Sequence, residues 1–227
     1  MTHTSNRLNG LAKRLDCRTY LEIGVCEGDT FRLVEIPEKT GVDPNFRFDP
    51  DTVRDGTTQL IGETSDCYFA LLPVSTKFDA VFIDGLHTFE QVVRDFSNAI
   101  IHTHDRSVIL LDDTRPSDVY SSLPDAGDAS RFRRQAGGES ADWHGDVFKA
   151  VFYINDFWPS LNYRTFYSGG NPQTLVWRSL SERHAPLFNS LELISRLSFF
   201  DLHRNIGVLR AASEEDAISL CVSEILI

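Results

Sequence analysis

Short, nearly continuous apolar stretches alternate along the chain with longer stretches in which apolar residues recur every three or four positions. The first kind predicts strands at Tyr20 to Gly24, Thr40 to Pro44, Thr58 to Gly62, Phe78 to Ile83 and Ser107 to Leu111, the second of them stopped by its proline. The second kind predicts helices at Arg7 to Asp16, Asp29 to Glu35 and Asp66 to Leu72. Another helix follows the fourth strand, with Phe89, Val92, Val93, Phe96, Ala99 and Ile100 on one face. The run SVILL at Ser107 to Leu111 shows no alternation, as expected of a strand buried on both faces of a parallel sheet. Strands alternating with helices imply an α/β fold with right-handed crossovers.

Beyond Leu111 the pattern breaks. Ser117 to Trp143 is rich in Gly, Ser, Asp and Arg and has no apolar period, so it reads as an active-site flap or specificity insert. Asp146 to Phe157 resumes as a helix, ended by Trp158-Pro159. Asn162 to Tyr167 and Gln173 to Arg178 then flank Ser168-Gly169-Gly170-Asn171-Pro172, a hairpin that closes the sheet with an antiparallel pair. From Ser190 the tail reads as helical, with Leu191, Leu193, Ile194, Leu197 and Phe200 on an apolar stripe suited to core packing or to contact between copies of the chain. The expectation is one domain over 1–227, with a leading helix within 1–18, an insert at 117–143 and a helical appendage at 190–227.

Composition narrows the function. The 227 residues are 41% hydrophobic, enough for one sizeable core. Asp and Glu number 33 against 22 Lys and Arg, and the net charge of -11 argues against nucleic acid or an anionic membrane as partner. The polar start MTHTSNRLNG and the lack of a long apolar run predict a soluble, cytoplasmic protein. Cys17, Cys26, Cys67 and Cys221 are scattered, which suggests neither a disulfide framework nor a zinc cluster.

The stretch TYLEIGVCEGDTF places a glycine turn after the first strand, where backbone N–H groups are free to meet a polar ligand. A dinucleotide turn would read G-x-G-x-x-G; here Cys26 takes a middle position and Glu22 precedes Gly24, an acid ill-suited to a diphosphate and better suited to an amine. Asp43, at the end of the next strand, can accept both hydroxyls of a ribose. The site reads as built for a nucleoside bearing an amino acid. Further along, Asp84 ends the fourth strand and Asp112-Asp113 the fifth, so three carboxylates share the ligand-binding edge. Their repulsion raises a pKa or calls in a cation, and oxygen ligands favour Mg²⁺, Ca²⁺ or Mn²⁺ over zinc. Asp112 or Asp113 could equally cap the following turn.

LEIGVCEG, GVDP, FDAVFIDGLHTFEQVVRDF, VILLDDTRP, WHGDVFKAV and the closing hairpin, in that order at strand ends, resemble the class I S-adenosylmethionine-dependent methyltransferases. Within that class the chain more closely resembles the small-molecule O-methyltransferase branch with a DG-x-H motif, over Thr19 to Arg178. The resemblance implies a Rossmann-like, seven-stranded, mostly parallel sheet with the last strand antiparallel and helices on both faces. It implies S-adenosyl-L-methionine held by Glu22, Gly24, Val25 and Gly28 at the methionine half and by Asp43 at the ribose. Glu63, Thr64 and Ser65 would flank the adenine, with Asp84 also near the cofactor. Cys26 departs from the commonest glycine at its position. Asp84, Asp112 and Asp113 resemble the acidic triad of metal-dependent members, which implies Mg²⁺, although many relatives of the DG-x-H group work without metal. His87, with Asp84 beside it, is the first candidate base and His144 the second; either could be a packing or capping residue. His102 and His104 read as solvated. Arg131, Arg133 and Arg134 form a solvated face or a clamp for an anionic acceptor, and Tyr120, Trp143 and Phe148 are candidate pocket aromatics. The implied reaction is methyl transfer to a hydroxyl of a sugar, phenol or polyketide-like molecule. The alternatives are a cofactor-binding relative without catalysis, or another transferase or a dehydrogenase on a related sheet.

Overall fold

The computed structural model describes residues 2–53, 55–179, 181 and 185–226. Seven strands form one sheet: β1 (Thr19–Ile23), β2 (Glu38–Val42), β3 (Thr58–Ile61), β4 (Ala80–Ile83), β5 (Val108–Leu111), β6 (Leu161–Phe166) and β7 (Gln173–Arg178). Their order across the sheet is β3-β2-β1-β4-β5-β7-β6. The first five are mutually parallel, while β7 runs antiparallel to both β5 and β6. This is the Rossmann-like sheet that the sequence predicts, closed by the predicted hairpin.

Side chains alternate between two cores, because successive strand residues point to opposite faces. Leu21, Ile23, Val81, Ile83, Ile109 and Leu111 face one layer, covered by α2 (Ser65–Leu71), α3 (Phe89–Ile101) and α5 (Phe148–Phe157). Tyr20, Phe82, Val108, Leu110, Leu175 and Trp177 face the other, covered by α1 (His3–Leu15) and α8 (Glu214–Ile225).

Three expectations change. Asp29 to Glu35 forms only a 3₁₀ turn at Phe31–Leu33, because Phe31 and Val34 drop straight into the core and leave no room for a second turn. Within the insert, α4 (Ala126–Gln135) forms without an apolar stripe; Asp125 caps its start by accepting from the Asp128 N–H, and buried Ala129 and Arg133 anchor it. From Ser190 the chain folds as α6 (Leu191–Ser195), α7 (Phe199–Arg204) and α8, so the anticipated single stripe is broken. Ile194 and Leu197 are buried there, whereas Leu191, Leu193 and Phe200 stand exposed.

The carboxyl ends of the parallel strands make one rim. In spatial order it carries Glu63 to Ser65 after β3, Asp43 after β2, Gly24 after β1, Asp84 after β4 and Asp112-Asp113 after β5. Backbone bonds continue the ladder into that rim, from Gly24 N to Val42 O at 2.9 Å, Asp84 N to Ile23 O at 2.8 Å and Asp112 N to Ile83 O at 3.0 Å. The strand order reverses between β1 and β4, which is where ligands settle in open α/β sheets.

Candidate active site

At the first half of the rim the backbone is shaped by close approach. Gly24 has φ +89°, and a Cβ there would lie 1.9 Å from the Asp84 carbonyl oxygen, so only glycine lets the β1 turn pack against the end of β4. Cys26 sits in the left-handed region at φ 47°, which explains why glycine is the easier residue at this position. The turn closes through Gly28 N to Val25 O at 2.8 Å. The Val25 side chain is buried in the core, which leaves only its backbone to face a ligand.

Asp43 accepts from Cys26 N at 2.8 Å on one oxygen and from Asn45 N at 2.7 Å on the other. Each oxygen keeps a further acceptor position, and the carboxylate is held rigid for a pair of hydroxyl donors. Glu22 is buried and takes a hydrogen bond of 2.5 Å from the Tyr20 hydroxyl. Burial pushes its carboxyl up to about 8, only partly offset by Tyr20, so the acid is neutral at neutral pH until a cation joins it. Thr64 spends its hydroxyl capping α2 through the Cys67 N–H, and buried Ser65 accepts from Gln91 Nε2 at 3.1 Å. Glu63 stands exposed.

The second half of the rim is acidic and poorly hydrated. His87 Nε2 lies 3.2 Å from Asp84 Oδ1, and its Nδ1 lies 3.0 Å from Asp113 Oδ2. The latter pair is close but out of line, so Nδ1 makes no hydrogen bond. His144 Nε2 is 3.9 Å from Asp113 Oδ1. Three buried atoms here, His87 Nδ1, Asp113 Oδ1 and His144 Nδ1, lack a hydrogen-bond partner. Orphaned buried polar atoms are rare in native folds, and a cluster of them marks a place meant for a ligand, an ion or water.

Asp84, His87 and Asp113 bring one ligand atom each within 4.8 Å of one another. Asp112 is not in that set; its Oδ1 instead accepts from the Asp113 N–H at 2.8 Å, while Asp113 adopts φ 57° and turns its carboxylate toward the histidines. The expected three-aspartate group is thus redrawn with His87 in the place of Asp112, because side chains of adjacent residues diverge. Desolvation raises the Asp84 carboxyl to about 7, yet the side chain keeps 32% exposure, so it is the best hydrated of the acids and the first to ionise. Desolvation and mutual repulsion raise Asp112 and Asp113 as well. Burial lowers the pKa of His144, keeping that imidazole neutral at neutral pH.

The WHGD stretch assembles this half of the site. Trp143 stacks on His87 with ring centroids 4.9 Å apart, and its Nε1 donates to Leu123 O at 2.7 Å. Gly145, at φ +62°, passes so near that a Cβ would lie 1.7 Å from the His87 carbonyl oxygen. Asp146 accepts from Phe89 N at 2.7 Å and so caps α3, whose own Thr88 makes no side-chain cap; Lys149 holds Asp146 at 2.8 Å.

Other sequence candidates fall elsewhere. Arg133 is buried in a two-point pair with Asp118 at 3.0 and 2.9 Å, and Arg131 pairs with Asp128, so neither is free to clamp an anion. Phe148 is core. His102 is buried against Phe69 rather than solvated, with Nδ1 3.0 Å from Thr76 O, and His104 pairs with Asp79. Sequence reasoning did not single out Arg115 and Tyr167, which line a cavity of about 510 Å³ beside His144. The signal for Arg115 was its place two residues past Asp113 in the loop after β5.

A glycine-turned β1, a doubly hydrogen-bonded acid after β2 and an acid–histidine cluster at β4 and β5 share the rim of a Rossmann-like sheet. Residues 21–114 match the family model Methyltransf_24, a methyltransferase domain. No curated protein matches the sequence. Among solved structures, a candidate O-methyltransferase from Klebsiella pneumoniae is similar at 16% identity and TM-score 0.54, over 78% of this chain and 80% of that one. Cofactor-bound Rv0187 from MTB is similar at 18% identity and TM-score 0.54, over 78% and 80%. A candidate caffeoyl-CoA O-methyltransferase from Staphylococcus aureus is similar at 12% identity and TM-score 0.53, over 77% and 82%. At such identities these likenesses speak for the fold.

Proposed function

We propose that the protein transfers the methyl group of S-adenosylmethionine to a hydroxyl oxygen of a small molecule. The observation that carries this reading is the cluster of unpartnered buried atoms on His87, Asp113 and His144, set on the rim beside the Gly24 turn and Asp43. S-adenosylmethionine supplies an electrophilic methyl group. Asp43 receives the ribose hydroxyls, Glu22 with the Gly24–Gly28 turn receives the amino-acid end, and Glu63, Thr64 and Ser65 flank the base. The chain then has to bring an acceptor oxygen into line and remove its proton. His87, held between Asp84 and Asp113, is the first group able to take that proton, since an adjoining carboxylate stabilises the imidazolium.

Asp84, His87 and Asp113 offer two carboxylate oxygens and one imidazole nitrogen, a mixed donor set that a divalent cation accepts and that suits Mn²⁺ or another transition ion better than Mg²⁺. A cation held there would lower the pKa of an acceptor hydroxyl. With His87 so engaged, proton acceptance passes to neutral His144.

The 117–143 segment acts as a flap, since Trp143 covers His87 from it. Exposed Leu191, Leu193 and Phe200 offer an apolar surface for a contact between copies. Among the described residues no helix is long and apolar enough to cross a membrane, and the four cysteines are free, as suits the reducing cytoplasm.

Calorimetric titration of S-adenosylmethionine and S-adenosylhomocysteine, with and without Mg²⁺ and beside NAD, tests the reading. Micromolar binding of the sulfur compounds alone, lost in Asp43→Ala, is expected. Absence of binding under every condition would remove the methyltransferase assignment.

A further inference from the structure

We infer that the cavity beside His144 is the acceptor site and that it takes a molecule carrying a carboxylate or phosphate, gripped by Arg115. The inference deepens the methyltransferase reading, on which the word acceptor rests; the anion grip itself stands on the cavity alone.

The cavity measures about 510 Å³, the size of a small-molecule site, and Arg115, Asp142, His144, Tyr167, Phe199 and His203 line it. It reaches the reacting centre through His144, whose Nε2 is 3.9 Å from Asp113. Its far wall is basic and aromatic. The Arg115 guanidinium carbon lies over the Tyr167 ring, 4.4 Å from its centroid, and His203 lies against Phe199 with centroids 4.4 Å apart.

Arg115 forms no ion pair among the described residues, although the chain carries an excess of acids. The two fully buried arginines are committed: Arg7 is paired with Glu214, and Arg133 with Asp118. A half-buried guanidinium with its stacking partner in place and its fork of N–H donors uncommitted is preorganised for a planar or tetrahedral oxyanion. Asp142 is the one acid in the lining, exposed to solvent and within 3.5 Å of the Ser117 hydroxyl. It leaves the wall around Arg115 open to an anion and disfavours a second negative group nearer the flap. Phe199 and His203 come from α7, so the C-terminal segment builds part of this wall.

The test compares pairs of probes that differ only in charge: 3,4-dihydroxybenzoate with 3,4-dihydroxybenzyl alcohol, and glucose 6-phosphate with glucose. Each is titrated calorimetrically into the full chain, free and saturated with S-adenosylhomocysteine. A charge-assisted pair makes the anion of at least one pair bind roughly tenfold more tightly than its neutral partner. Arg115→Met should abolish that preference while leaving the melting temperature and S-adenosylhomocysteine affinity unchanged. Arg115→Lys should retain part of it, which guards against a folding artefact in the first variant. The responding pair tells carboxylate from phosphate. No anion outbinding its neutral partner in the wild type, or a preference that survives Arg115→Met, overturns the inference. If the preference stands while S-adenosylhomocysteine fails to bind, the methyltransferase reading falls and the anion site remains.

Discussion

Asp113 concentrates the chemistry of the site in one residue. Its side chain is 2% exposed, its backbone is left-handed, and its carboxylate faces two imidazoles. Its carboxyl stands at about 8 in the fold, raised by desolvation and then by Asp112, against an ordinary value of 3.8. A carboxyl raised on folding holds its proton more tightly in the native state, so its favourable contribution is complete below about pH 4 and is lost as pH rises through about 8. Asp113→Asn keeps the shape and tolerates the left-handed backbone while removing the charge. In EDTA the variant should therefore melt several degrees above the wild type at pH 8.5, from roughly 1–3 kcal/mol of relieved strain, and the advantage should vanish at pH 4. Thermal unfolding across that range checks it; an equal difference at both pH values would mean that Asp113 is not held protonated. The same variant should lose methyl transfer. That opposition between stability and activity is what a site storing buried carboxyls must show.

At the scale of elements, the site depends on the junction between the flap and α3. Gly145 lets the chain pass against the His87 carbonyl, Asp146 caps α3, and Trp143 lies on the His87 ring. Gly145→Ala places a methyl where a carbonyl oxygen stands and at a φ that alanine resists, so the His87 loop has to move. Displacement by an ångström is enough to cost about 100-fold in turnover, whereas the β1–β2 half of the rim, where we propose that the cofactor binds, is untouched. Steady-state kinetics beside S-adenosylhomocysteine titration should show that split; loss of both together would mean that the junction supports the whole rim. This junction was only partly legible in the sequence. The strand ends were readable because apolar runs stop abruptly at Gly24, Asp84 and Asp112, and the histidines were readable by type. The roles within WHGD were not, since a cap donated from residues far along the chain leaves no local period. α4 was missed for a related reason: its core contacts come from Ala129 and the stem of Arg133 rather than from an apolar stripe. Likewise the sequence left the arginine cluster open between a solvated face and an anion clamp, and the burial of Arg133 against Asp118 became visible only in the fold.

Across the whole molecule, both chain ends are tied to the sheet beside the site. Arg7 of α1 is fully buried and donates to Glu214 of α8 at 2.7 Å, to Gln173 Oε1 of β7 at 2.8 Å and to the carbonyls of Ser168 and Gly169 in the hairpin. Its guanidinium also lies 4.7 Å above the centre of the Phe166 ring. One side chain thus fastens the leading helix, the closing hairpin and the final helix. Because Gln173 gives its oxygen to Arg7, its amide N–H groups are turned toward Thr4, at 2.8 Å, and toward Asp112, whose carboxyl they help to hold down. Arg7→Met keeps most of the stem's packing but leaves Gln173 and two carbonyls without their donor and Glu214 without its cation. Since Glu214 remains one-third exposed and can be rehydrated, the loss should fall at about 2–4 kcal/mol, below that of a wholly buried pair. Urea unfolding should show the lowered midpoint with an unchanged slope. Hydrogen exchange should show the loss of protection first in α1, α8 and the hairpin, with the β1–β4 rim protected as before. If protection falls evenly over the sheet instead, Arg7 supports the global core and the ends are not a separate fastening.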